Sequence, residues 1–542
     1  MTVWRITAGI GLGLLLGLPL LQPFVRLLEP ATWNWTADDL LRVGWLAGNT
    51  LLLVSGTCLL AVPAGTLLAV LLFRTHLPGR RVGLALVVFL LFVPLPVIVS
   101  AWQSFLGSGG LLPLQFWTSG VDRPWATGWG PAIWVHAVAA TPWVACIVGL
   151  GLQWVEPELE ETAALQLPPW RVVCQVTLPR CRASIVAALV FVGLQTASEI
   201  SVTTVMLIST LADEVFTQFT LGEEALGRTL LLSLPVLLAL TVLLCMITAR
   251  LERRLPPLPA LLRPSLPLRL SPGWVWLAVL VVVFALLMVP AAGLVWKLGE
   301  AGTPPRWSLV HALNQLAGET WLLGGAALRS LLAAVLCGAL VGAIALTCCW
   351  LATDSAWLRL YLLVLLMAAW VTPGPVVGIG LKELILALPD GPWLDLLYSA
   401  PSPLPIIWAH VIRFLPAAIF FLWPVVRVIP RELIEAARLE GAGPVQELML
   451  VVWPMTRSAV GVIAIAVTAL ALGEHEAAGS AATPQWESFA KLLFDRMHYG
   501  TDSTVAALSL LLLGSVLAAL LAALSARWLL KALGASKRSN HG

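Results

Sequence analysis

Long apolar runs separated by short polar stretches recur along the whole chain. A membrane span needs roughly 20 mainly apolar residues to cross a hydrocarbon core of about 30 Å. Twelve such stretches stand at about 6–24, 47–73, 83–106, 130–154, 183–207, 228–249, 274–296, 326–350, 359–382, 403–426, 457–478 and 504–530. The pattern predicts an all-α polytopic membrane protein of about 12 transmembrane helices. Arg5 precedes the first run in the manner of a signal sequence, but no A-x-A-like cleavage site follows, so the run reads as a retained first helix.

The polar positions between the runs give an orientation. Arg74, Arg80 and Arg81 follow the second span, Arg250, Arg253, Arg254, Arg263 and Arg269 the sixth, and Lys531, Lys537 and Arg538 the twelfth. All of these fall on one side, which the positive-inside rule makes cytoplasmic. The opposite loops are mixed or acidic, with Asp213, Glu214, Glu223 and Glu224 after the fifth span and Asp390 and Asp395 after the ninth. Both termini are then cytoplasmic, and the Pro- and Arg-rich stretch 255–272 reads as a linker between 1–254 and 273–542.

Composition agrees: charged residues are 11% of the chain, against about 25% in a soluble domain. The net charge of +3 is scattered, which gives nucleic-acid binding no support. The eight cysteines form no CxxC pair and read as small hydrophobes.

The chain repeats itself. Trp134, His136 and Pro142 recur as Trp408, His410 and Pro416, and Glu158, Leu159, Glu161, Ala163 and Leu165 as Glu432, Leu433, Glu435, Ala437 and Leu439, all 274 residues on. After a one-residue deletion in the first copy the offset is 275, pairing Pro179 with Pro454, Arg182 with Arg457, Glu199 with Glu474 and Phe219 with Phe494. A P-x-P-V element also stands in the third and ninth spans, at Pro94 to Val97 and Pro373 to Val376. Two homologous six-span halves in the same orientation follow, with a pathway expected at their interface.

The second copy of the repeated loop reads Glu435-Ala436-Ala437-Arg438-Leu439-Glu440-Gly441-Ala442-Gly443-Pro444, with Trp453-Pro454 downstream. This resembles the EAA loop of ABC importer permeases, which in that family forms a short coupling helix docked on the ATPase subunit. The residues suit the task. Ala436 and Ala437 leave a small-residue face, Gly441 allows a turn without steric cost, and Glu435 and Arg438 remain as charges for a polar partner. In the first copy Glu161-Thr162-Ala163 replaces E-A-A and Leu167 stands at the glycine position, with Pro168-Pro169 expected to make the turn before Pro179.

The resemblance covers essentially the whole chain. It implies a type I importer permease in the inner membrane, an ABC ATPase in two copies, and a periplasmic or surface substrate-binding protein. The fused halves, the P-x-P-V elements and the stretch Met497-His498-Tyr499-Gly500 running into Val505-Ala506-Ala507-Leu508 resemble the ferric-iron type most closely; fused thiamine permeases share the architecture, and a polyamine or another small solute stays open.

The chain has five lysines, none after a glycine, so the phosphate loop G-x-x-x-x-G-K-[ST] is absent and ATP is expected on a separate subunit. No catalytic constellation, metal site or cofactor site of the chain's own stands out. Ionisable residues within spans mark a pathway or a paired contact. Glu199 and Glu474 occupy equivalent places, and 17 residues at about 1.5 Å each put Glu474 about 25 Å from Arg457. With His475, Glu476, His136 and His410 at a similar level, these groups are expected either to pass a cation or to bond helices together. An ion-gradient transporter and a membrane scaffold are the alternatives from other classes. The paired loops discriminate against the first, which has no ATPase to dock, and the repeated intramembrane polar positions against the second, which has no evident use for them.

Overall fold

In a computed structural model the chain is 83% helical. The structure describes every residue except 76–78, 119, 120, 125, 126, 154, 222–224, 255–271, 400, 485, 501 and 540–542. It is an all-α polytopic membrane protein. Among the described residues eight helices are long and apolar enough to cross a membrane: Thr2–Leu28, Ala37–Arg74, Trp129–Leu152, Thr229–Arg250, Leu309–Ala352, Leu404–Val426, Pro444–Gly473 and Ser503–Ala522. Three bent helix pairs raise the number to as many as eleven among the described residues. The expected span at 274–296 falls in the helix Pro272–Gly299, several of whose side chains lie outside the described residues. The expected linker lies outside them too, apart from Pro272.

Long helices present apolar side chains outward as well as inward, as a hydrocarbon solvent permits. On Leu309–Ala352, Leu332, Leu336 and Leu340 are exposed, while Ala333, Cys337 and Val341 are buried at the same four-residue spacing. Small residues set the closest crossings: a Cβ at Gly338 would lie 2.3 Å from the Ala464 carbonyl oxygen.

Four expected spans are not single helices. The stretch at 83–106 is Arg80–Leu91 and Leu95–Leu106, bent by 103°, and that at 359–382 is Ala356–Val371 and Gly374–Leu386, bent by 107°. Both breaks fall at the P-x-P-V elements, where Pro94 and Pro373 precede the second helix. Proline has no N–H for the ladder and drives the residue before it out of the helical region. The fifth span, expected at 183–207, ends at Ala197 and is followed by Ser201–Val205. The eleventh, expected to reach 478, ends at Gly473 and is followed by Glu476–Ala481.

Element bounds recur at the repeat spacing. The loop helices Pro157–Ala164 and Arg431–Leu439 begin 274 residues apart. The elbows that follow contain π-helical turns, Val173–Thr177 and Leu448–Val452, 275 residues apart. The first span does not pack only with its sequence neighbours. Arg5 donates to the Leu351 carbonyl (3.2 Å), Trp408 Nε1 to that of Leu15 (2.7 Å), and Arg26 pairs with Glu383 at 2.6 Å.

Candidate functional site

Four helix breaks meet at one level of the molecule and bring the predicted histidines and carboxylates together. Glu199 follows the end of the fifth span, and its carboxylate accepts the Ser201 and Val202 backbone N–H groups. Glu474 repeats this after the eleventh span, accepting from Ala477 (2.7 Å) and Ala478 (3.0 Å). The N–H groups at the start of a helix have no partner within it, so each glutamate terminates one helix and caps the next. That is why both spans stop short of their expected ends.

Each glutamate also meets the histidine of its own copy. His136 Nε2 lies 3.2 Å from Glu199 Oε2, and His410 Nε2 lies 3.3 Å from Glu474 Oε2, with all four side chains at least 90% buried. His136 Nδ1 lies 2.8 Å from the Ala132 carbonyl oxygen. The two copies then touch each other. Glu476 Oε1 accepts the Ile200 N–H (3.0 Å), and His475 Nε2 lies 3.0 Å from Ser201 Oγ. Ile200 and Ser201 hold the repeat positions of His475 and Glu476, so equivalent segments meet with different side chains.

A cavity of about 700 Å³ opens beside this junction, bounded by His136, Glu199, Glu474, His475 and Glu476. Its walls include Trp143, Phe191, Trp370, Phe414 and Phe421, together with Arg413 and Gln195. Arg413 donates to the Thr372 carbonyl at the break of the ninth span (3.1 Å). A second cavity of about 520 Å³, on the side of the loop helices, shares Ile147, Leu150 and Phe421 with the first. The aromatic walls, Arg413 and Gln195 were not picked out from sequence. The signal was available in the repeat, whose other copy carries smaller or apolar residues there.

The loop residues lie apart from the cavity, on the surface. Glu161, Glu435 and Ala436 are exposed, Ala163 and Ala437 half-buried, and Pro179 and Pro454 exposed. Leu165 and Leu439, at the same repeat position, are 85% and 88% exposed. Gly441 has φ +86°, the left-handed region that glycine enters freely. Leu167 is half-buried and its N–H bonds the Ala163 carbonyl (2.8 Å), so the first loop turns on ordinary backbone before Pro168 opens the next helix.

Arg438 is not left for a partner as its sequence suggested. It donates to Glu447 through Nε at 2.8 Å and lies 3.5 Å from Asp354, because Glu447 is 2% exposed and needs a counter-charge. Those hydrogen bonds raise the Arg438 pKa. In the first loop Glu160 is buried, paired with Arg74 at 3.1 Å and bonded by the Thr177 hydroxyl at 2.6 Å. Burial nonetheless pushes its carboxyl above the ordinary range. No protein-family model matches the chain, and no characterised relative is found for it.

Proposed function

We propose that the chain is the transmembrane permease of an ATP-driven ABC importer. It consists of two homologous six-span halves, and ATP is hydrolysed on a separate subunit docked under both loops. One observation carries this reading. Two short surface helices, Pro157–Ala164 and Arg431–Leu439, recur at the repeat spacing and present Glu161 with Leu165, and Glu435 with Leu439, to the outside. Such repeated, exposed apolar and acidic side chains suit a partner that binds twice. A secondary transporter has no use for them.

On this reading the arginine-rich side and both termini are cytoplasmic in the inner membrane, and the junction closes the chamber from the outer side, where a periplasmic or surface binding protein delivers the solute. The chamber continues toward the loop helices through the second cavity. Ferric iron is the solute that the resemblance favours. The aromatic walls support a second reading, an organic cation such as thiamine, because planar aromatic faces attract cations. The test is uptake into vesicles holding the chain with its ATPase and supplied with its substrate-binding protein, using labelled ferric iron and labelled thiamine. ATP-dependent accumulation of one of them supports the importer, and accumulation driven by an ion gradient without ATP contradicts it.

A further inference from the structure

We propose that one buried carboxylate in each half clamps the loop helix to the end of a membrane span and to the elbow of the next, and that these clamps carry ATP-driven motion into the chamber. The proposal rests on the importer reading and adds the residues that would transmit the movement.

In the first half the carboxylate is Glu160, on the loop helix. It meets Arg74, the last residue of Ala37–Arg74, and Thr177, the last residue of the elbow's π-turn. In the second half it is Glu447, at the elbow. It accepts from Arg438 on the loop helix (2.8 and 3.2 Å) and from Trp350 Nε1 near the end of Leu309–Ala352 (2.8 Å). The same three elements are joined in both halves.

The repeat shows that the carboxylate has changed seats. Ile434 occupies the position of Glu160 in the second copy, and Val172 that of Glu447 in the first, where it is fully buried. Each half therefore holds one carboxylate and one apolar residue in exchanged places. Filling space alone does not explain this, since apolar residues replace buried ion pairs without loss of stability in many proteins. What the carboxylate adds is a polar tie among three elements, hydrogen-bonded to both partners at Glu447 and made of the Arg74 ion pair and the Thr177 hydrogen bond at Glu160.

The experiment uses the complex of the chain with its ATPase. N-Ethylmaleimide labelling of the native Cys146, half-buried in the chamber wall, is followed by peptide mass spectrometry with and without ATP and vanadate. The exposed Cys174 on the elbow reports reagent quality. In the wild-type complex nucleotide changes the Cys146 labelling rate. Arg74→Met with Glu160→Leu fills the seat with apolar atoms; the complex still forms and hydrolyses ATP, but the Cys146 response is lost. Glu447→Gln, which keeps an acceptor oxygen and leaves Arg438 with Asp354, loses the same response and covers the case in which the double variant does not fold. Wild-type responses in a folded variant overturn the clamp and leave the importer reading intact. A wild-type complex that hydrolyses ATP with no response at Cys146 also contradicts the clamp, and a chain that binds no ATPase contradicts both.

Discussion

The junction and the chamber wall lie side by side, yet the internal repeat treats them in opposite ways. At the junction both copies keep the same histidine and the same glutamate, with contacts of 3.2 and 3.3 Å. In the wall the copies have parted: Trp143 against Ala417, Phe191 against Ala466, Phe414 against Ala140, Arg413 against Ala139 and Gln195 against Leu470, all lining one cavity. A helix cap demands the same chemistry in each copy, because the N–H groups it serves are the same. On the importer reading, a wall answers to what passes along it. Bulk supplied by one copy and withdrawn by the other makes an asymmetric chamber, which suits a solute with unlike ends better than a repeated ring of ligands does.

The comparison breaks most readily at the junction. Glu199→Ala and Glu474→Ala each strand a buried histidine and free two backbone N–H groups, so each is expected to cost about 3–5 kcal/mol. Melting of the detergent-solubilised chain checks this. Large losses at both positions support a shared structural duty, whereas a loss at one alone shows that the two copies do not share it. Gln at either position keeps an acceptor oxygen for the cap and is expected to cost less. Uptake by the double Gln variant then isolates the effect of charge on a cationic solute.

A middle-sized effect is expected in the loops. Gly441→Leu forces a side chain into the left-handed region at about 1–2 kcal/mol and weakens capture of the ATPase. Leu167→Gly relaxes a position that already has ordinary backbone and leaves capture near that of the wild type. A pull-down with tagged ATPase compares the two, and a larger loss from Leu167→Gly contradicts the roles assigned.

The smallest effect on stability is expected in the wall, with the largest on selectivity. Trp143→Ala opens the chamber on one side, leaves melting nearly unchanged and alters the ratio of thiamine to ferric iron uptake by roughly tenfold. An unchanged ratio means that the wall does not select.

Much of this architecture was legible because two signals were strong. Apolar run length marks the chain as a helical polytopic membrane protein, though not as eight to eleven candidate spans among the described residues, and the offsets of 274 and 275 tie His136 to His410 and Glu199 to Glu474. Run length cannot show a bend, however, since the residues flanking Pro94 and Pro373 are as apolar as those within a straight span. The capping role of Glu199 and Glu474 was hidden for a related reason: an acidic residue in an apolar run announces its cost, while its partners are backbone groups that every residue carries. Glu160 and Glu447 were missed because each occupies a seat that is apolar in the other copy, so a search for matching residues passes over them. The chamber residues were missed on the same ground.

Purification of the chain from its native membrane under mild detergent shows what accompanies it and whether ATP is hydrolysed. The expected result for an importer permease is an ABC ATPase subunit bound at two copies per chain, ATP hydrolysis by that complex, and none by the chain once the subunit is stripped away. Robust hydrolysis by the isolated polypeptide, or a chain that reconstitutes ion-driven uptake with no ATPase bound, would contradict it.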